Sequence, residues 1–321
     1  TAAGSSHGAI PGKCYVTPAP KNVVASVLAR LRNVAQEAGI SFNDILQSYV
    51  IERFLARLSR SPHADTVLLK GALMLRVWGV PRARPTMDID LLRRGVADQE
   101  SLVRLVEECA AISEPADGVI FEPTTISVEP IRDATEYVGT RIRLQARLNN
   151  VRQTVQIDFG VGDAVHPEPQ VIDYPVILTG PPVRLNAYPV ESAIAEKFEA
   201  MVHLDMQNSR MKDFYDIWIL SRFLSFSGPA LSRAIRSTFD RRQTSLPVVP
   251  PVALTAEFYS EPVHVRQWAA FIRRIGEPAL ANEFSQVVAD LAEFLMPAAK
   301  AASTSADYPL RWEPLGPWQY G

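Results

Sequence analysis

Three aspartates have the type and spacing to do chemistry: Asp88 and Asp90 in the string MDIDLL, and Asp158 in VQIDFG. Both strings alternate apolar and polar residues, so both read as strands. Met87, Ile89 and Leu91 then share one face while Asp88 and Asp90 share the other, and Val155 and Ile157 oppose Gln156 and Asp158 in the same way. Two like charges forced together are tolerable in water, or where a divalent cation compensates them. Mg2+ favours carboxylate oxygens and shares its shell with substrate phosphates. If the two strands are neighbours, about 4.8 Å apart, three carboxylates converge. An Asp-x-Asp pair by itself arises by chance about once in a chain of this length. What singles this one out is its place in a strand, with DTVLLK at 65–70, Gly71 and a helical stretch to Val77 just before it. A strand, a glycine and a helix start together suit phosphate oxygens.

Two more residues stand in unusual positions. On a helical wheel from Val190, Lys197 borders the apolar stripe of Val190, Ile194, Phe198 and Met201, while Glu196, Glu199 and His203 take the opposite face. In the next helix Asp213 lies on the apolar side with Ile217 and Leu220, whereas Asp216 reads as a more exposed acid. A buried-side acid needs a partner, and from the residues alone a Lys197–Asp213 salt bridge stapling the two helices is the plainer reading. Arg82, Arg84, Arg93 and Arg94 flank the acids, either as a surface for RNA phosphates or as a solvated face.

The elements that must position these groups divide the chain. Residues 1–18 read as a flexible N-terminal segment and 19–188 as an α/β domain with a helical preface, at about 21–38 and 42–59. Residues 189–300 read as a helical domain and 301–321 as an extended C-terminal tail pinned by its Trp and Tyr residues. Within the α/β part, 86–92, 137–148 and 153–159 read as strands, the last two as an antiparallel pair, and 97–113 as a helix. Six prolines between 165 and 189 argue for a surface connection, with VRLNAY as one further strand. The fold class is therefore α+β.

Composition removes several function classes. The 321 residues, 47% hydrophobic and 21% charged, are those of a globular chain. No apolar run reaches the roughly 18 residues of a membrane span. Cys14 and Cys109 are too few for a disulfide framework or a zinc site, which suits a reducing compartment. A net charge of −2 leaves nucleic-acid contact to a local patch. The sequence has no P-loop, no zincin HExxH, no GxSxG and no complete GxGxxG motif, and its five histidines are scattered.

LLKGALMLRVWGVPRARPTMDIDLL, then VQIDFG, then YPVESAIAEKFEAMVHLDMQNSRMKDFYDIW together resemble the AbiEii/AbiGii toxin family of nucleotidyltransferases, which includes the MenT-type toxins of type IV toxin–antitoxin and abortive-infection systems. The resemblance spans about residues 25–225. It implies a DNA polymerase β-like nucleotidyltransferase domain followed by a helical one. It places Lys70 and Gly71 at the triphosphate, with KGAL standing where many members have KGG and a hydroxyl residue. Asp88 and Asp90 take the place of the metal-binding pair for Mg2+ or Mn2+, and Thr86 that of the hydroxyl residue before it. Asp158 takes the third carboxylate's place, and Lys197 and Asp213 match the family's lysine and aspartate motifs. The implied activity is transfer of a nucleotide from an NTP to RNA, as at a tRNA 3′ end, blocking translation in a bacterial cytoplasm, with a cognate antitoxin as partner. A small-molecule nucleotidyltransferase and an inactive partner-binding module are the alternatives.

Overall fold

The computed structural model describes residues 22–81, 84–131, 139–277, 279, 283–304 and 308–320. Cys14, Arg82 and the N-terminal segment 1–18 lie outside the described residues. Helices α1 (Val23–Ala38) and α2 (Phe42–Leu58) come first. Asn22 caps α1 by accepting from the Ala25 amide at 3.0 Å, and Gly39 ends it with a left-handed φ of +65°. Then follow β1 (Val67–Lys70), a tight turn Gly71–Leu73, α3 (Met74–Val77), β2 (Asp88–Arg93), α4 (Gln99–Ala111), β3 (Ile120–Ile131), β4 (Gly139–Leu148), β5 (Val151–Val161), β6 (Gln170–Tyr174) and β7 (Val183–Ala187). The remainder holds α5 (Val190–Leu204), α6 (Met211–Phe223), β8 (Phe226–Ser227), α7 (Gly228–Arg242), α8 (Ala256–Ser260), α9 (Pro262–Ile275), α10 (Phe284–Thr304), β9 (Leu310–Trp312) and β10 (Trp318–Tyr320).

Strands β1 to β7 form one mixed sheet in the order β3-β4-β5-β2-β1-β7-β6. The β2–β5 and β1–β7 pairs are parallel and the others antiparallel. This is an α+β fold. Ile89, Leu91, Ile142, Leu144, Val155, Ile157 and Phe159 pack beneath the apolar faces of α1, α2 and α4 to form one core. Alternation then turns Asp88, Asp90 and Asp158 to the opposite face. A second core joins α5, α6, α7, α9 and α10, and Ala72, Leu75 and Val80 from the β1–β2 connection belong to it. The stretch after β1 thus sits where both cores meet.

Two strands of the seven-stranded sheet escape a reading of the sequence, β3 and β6. Pro123 and Pro130 within β3, and the prolines around β6, break the pattern of a central strand. Both strands lie at the sheet's two edges, where a missing amide hydrogen leaves no ladder bond unmade. Residues 165–189 are therefore a strand pair and not merely a surface connection. The C-terminal residues, expected as an extended tail, form the β9–β10 hairpin, and β9 pairs with β8. Trp312 is buried there and Trp318 stacks on Phe294 at 5.8 Å. Among the histidines, His264 is buried, stacked on Phe258 at 3.8 Å and bonded to the Phe258 and Met206 carbonyls, a packing role. Cys109 is buried and free. Among the described residues no helix is long and apolar enough to cross a membrane.

Candidate active site

The site grows from β2. Its parallel pairing with β5 puts Asp90 directly opposite Asp158, and its antiparallel pairing with β1 puts Asp90 opposite Lys70. Asp88, two residues along the same face, lies opposite Gln156. Burial and then the nearby Asp158 charge push the Asp90 carboxyl up to about 6, and the same two causes raise Asp88. Gly71 begins the turn after β1 with φ +73°, and a Cβ there would stand 2.0 Å from Asp90 Oδ2. Glycine is required at this position twice over, by its backbone conformation and by the carboxylate against it. Thr86 is half-buried just before β2, and its hydroxyl accepts from the Asp88 amide at 3.3 Å.

Around this edge opens a cleft of about 370 Å3. Its lining brings together Lys70, Gly71, Asp90, Asp158, Lys197 and Asp213, whereas Asp88 and Thr86 stand outside it. Lys197 projects from α5 and donates to Asp213 at 2.7 Å and to Asp216 at 2.8 Å, both on α6. Burial alone would lower the lysine, but Asp213 and then Asp216 hold it above its ordinary value. Arg84 grips Asp216 with two bonds of 2.8 and 2.9 Å, and Arg210 donates to Asp213 at 2.6 Å. Despite burial, these cations hold both acids below the usual carboxylate range. Lys197–Asp213 is thus both a bond between two helices and part of the cleft wall.

A second group faces it across the glycine turn. Lys70 donates to Asp163 at 2.9 Å and to both oxygens of Glu196 at 3.0 and 2.9 Å. The Tyr188 hydroxyl donates to Glu196 at 2.6 Å. Arg242 donates to Glu199 at 2.8 Å and to Asp163 at 3.1 Å. Lys212, by contrast, lines the cleft exposed and makes no ion pair among the described residues.

Several expectations change here. Asp216, expected on an exposed face, is 1% exposed and holds two cations. Glu196 and Glu199, expected opposite the buried stripe, are drawn inward by Lys70 and Arg242. A helical wheel separates a core stripe from the rest, and it cannot tell water from a second packed element lined with opposite charge. Two members of the arginine tract lie far apart. Arg84 turns into the site, while Arg93 sits at the far end of β2 and bonds the Val96 and Thr66 carbonyls. Arg141, which donates to both oxygens of Asp158 at 2.8 and 2.7 Å, is not among the residues the sequence singles out, although the β4–β5 hairpin carries the signal. Closing that hairpin at Asn149 and Asn150 makes Arg141 and Asp158 partners by counting.

Whether these residues suit a divalent ion follows from the donor set. Asp88 and Asp90 are adjacent acids on one strand face, each with its ionised form disfavoured, which a cation would relieve. Magnesium needs only one or two protein carboxylates when phosphates complete its shell. Asp158 has both oxygens committed to Arg141, and among the described residues no three acids, histidines or cysteines group closely enough to hold an ion. While Arg141 holds Asp158, the fit is that of two carboxylates, Asp88 and Asp90.

Comparison with known proteins adds the family. The model of the AbiEii family, nucleotidyl transferase toxins of type IV toxin–antitoxin systems, matches residues 53–290, a span that contains every cleft residue named above. No curated protein matches by sequence. Among solved structures, the chain is similar to MenT4, a nucleotidyltransferase toxin of Mycobacterium tuberculosis H37Rv. The TM-score is 0.50 and the identity 14%, over 87% of this chain and 98% of that one. It is also similar to JHP933 of Helicobacter pylori, with TM-score 0.47 and 14% identity over 83% of this chain and 94% of that one. At such identity the MenT4 likeness speaks to the fold alone.

Proposed function

Because this chain belongs to the AbiEii family of nucleotidyl transferase toxins of type IV toxin–antitoxin systems, we propose that it transfers a nucleotide from an NTP to a hydroxyl of an RNA acceptor, a tRNA 3′ end, and so arrests translation. The observation that carries the reading is the register of Asp90 between Asp158 and Lys70, beside the Gly71 turn and on the same cleft as Lys197. A set of carboxylates next to glycine and cations suits phosphoryl chemistry, in which positioning and charge stabilisation supply most of the catalysis.

Asp88 and Asp90 would hold Mg2+ or Mn2+, which when bound neutralises charge on the triphosphate and the leaving group. The amides that follow Gly71 and the exposed Lys212 receive phosphate oxygens, and Lys197 is fixed by Asp213 and Asp216 as a point charge beside them. The acceptor oxygen bonds to the α-phosphorus, the bond from that phosphorus to the bridging oxygen breaks, and pyrophosphate leaves. The acceptor's proton passes to the carboxylate group around Asp158 and on to water. A protein antitoxin is the expected partner.

Purified protein incubated with Mg2+ or Mn2+, each α-labelled NTP and total RNA tests this directly. Label in RNA supports the proposal. Label in small molecules points to a metabolite acceptor, and no incorporation with any NTP points to a binding module that has lost turnover.

A further inference from the structure

Five adjacent strands each place one charged side chain in a single row across the sheet. Glu129 on β3 faces Arg141 on β4, Arg141 faces Asp158 on β5, Asp158 faces Asp90 on β2, and Asp90 faces Lys70 on β1. Directly opposed residues on one face lie about 5 Å apart, so each charge feels its neighbours on both sides. The row alternates in sign except at one contact, Asp158 with Asp90, and Arg141 stands next to that contact.

The hold of Arg141 on its two acidic neighbours is unequal. It donates to both oxygens of Asp158 at 2.7 to 2.8 Å, while its Nη1 stands 3.8 Å from Glu129. Glu129 is already engaged by Arg143 at 2.6 Å and is exposed enough to accept a second guanidinium. Arg141 is itself 29% exposed, so its head group can turn without disturbing the core beneath the sheet.

We infer that Arg141 is a resident counter-ion that occupies Asp158 while no divalent ion is bound and yields it when one binds, turning toward Glu129. This rests on the metal-dependent transfer proposed above. Two ionised aspartates side by side need compensating charge, and on the Asp158 side the guanidinium supplies it. With both oxygens engaged in a fork of two hydrogen bonds, Asp158 offers little to a metal. A divalent ion must therefore compete with Arg141, and its apparent affinity falls by the fraction of protein in which Asp158 is free. Arg141 is a positioning residue: it withholds the third carboxylate until an ion can take its place.

Mn2+ binding to the full chain without nucleotide, followed by calorimetry, tests the competition independently of turnover. Arg141→Gln is expected to tighten Mn2+ binding by about fivefold, the scale of a part-exposed ion pair, with Arg141→Lys in between because it keeps the charge and loses the fork. The gain should disappear when Arg141→Gln is combined with Asp158→Asn. Unchanged or weaker binding by a folded Arg141→Gln protein, judged by circular dichroism, would overturn the inference and leave the transfer proposal standing. No Mn2+ binding by any of the proteins would overturn both.

Discussion

Asp90 is the residue at which the requirements of folding and chemistry conflict most directly. Its carboxyl titrates at about 6, against an ordinary 3.8, because burial and Asp158 oppose its charge. The folded protein therefore holds this proton more tightly than the unfolded chain does. The contribution to stability is complete below the unfolded value and is lost as the pH rises through 6. Asp90→Asn is expected to stabilise the metal-free protein at pH 7.5 by up to about 3 kcal/mol, with the gain vanishing toward pH 4, while transfer is abolished. Thermal melts in chelator across that range, with parallel transfer assays, measure both; a variant less stable than the parent at pH 7.5 would refute the account. Lys212 is under no such conflict. As an exposed cleft cation with no ion pair among the described residues, it is expected on Lys212→Gln to raise KM for the NTP by about five- to tenfold with little change in melting temperature. Steady-state kinetics with the preferred NTP would show it.

At the scale of elements, α5 and α6 share the helical core and are also tied by charge where they line the cleft. Asp216, 1% exposed, accepts from Lys197 and twice from Arg84. Its removal takes away Arg84's carboxylate in a part-buried place and leaves Lys197 with Asp213 alone. Asp216→Ala is therefore expected to cost about 3 kcal/mol in a denaturant melt, and a loss under 1 kcal/mol would mean that water screens the network. The strand pair β4–β5 contrasts with this. Its register follows from a two-residue turn at Asn149–Asn150, so once that turn is placed the Arg141–Asp158 contact follows by counting, which Lys197–Asp216 does not. Local connections fix local register, whereas the facing of two helices depends on everything packed around them.

Across the whole molecule, the sheet's core and the helical core touch at the stretch following Gly71, and the C-terminal hairpin closes the helical one. Trp312 is buried against Phe294 at 4.9 Å, and its indole nitrogen donates to the Ser221 carbonyl at 2.6 Å. Trp312→Ala is expected to cost about 3–5 kcal/mol by chemical denaturation, because it leaves a cavity and removes the indole bond to the Ser221 carbonyl. If the variant melts like the parent, the hairpin is only an ornament on the helical core.

Alternation and helical period by themselves settled which face of β2 and of β5 carries the aspartates, that a helical stretch follows Gly71, and that the chain passes from mixed α/β to helical. These depend on neighbours within a few residues, and the hydrophobic pattern records them. Tertiary structure alone decided that β5 lies parallel beside β2, which makes Asp90 and Asp158 partners. It likewise decided that Glu196, Glu199 and Asp216 face cations and not water, and that proline-bearing β3 closes an edge. Those outcomes join residues tens to more than a hundred positions apart, where a sequence shows only that a residue is polar, and the partner that neutralises it is chosen by the packing of the whole chain.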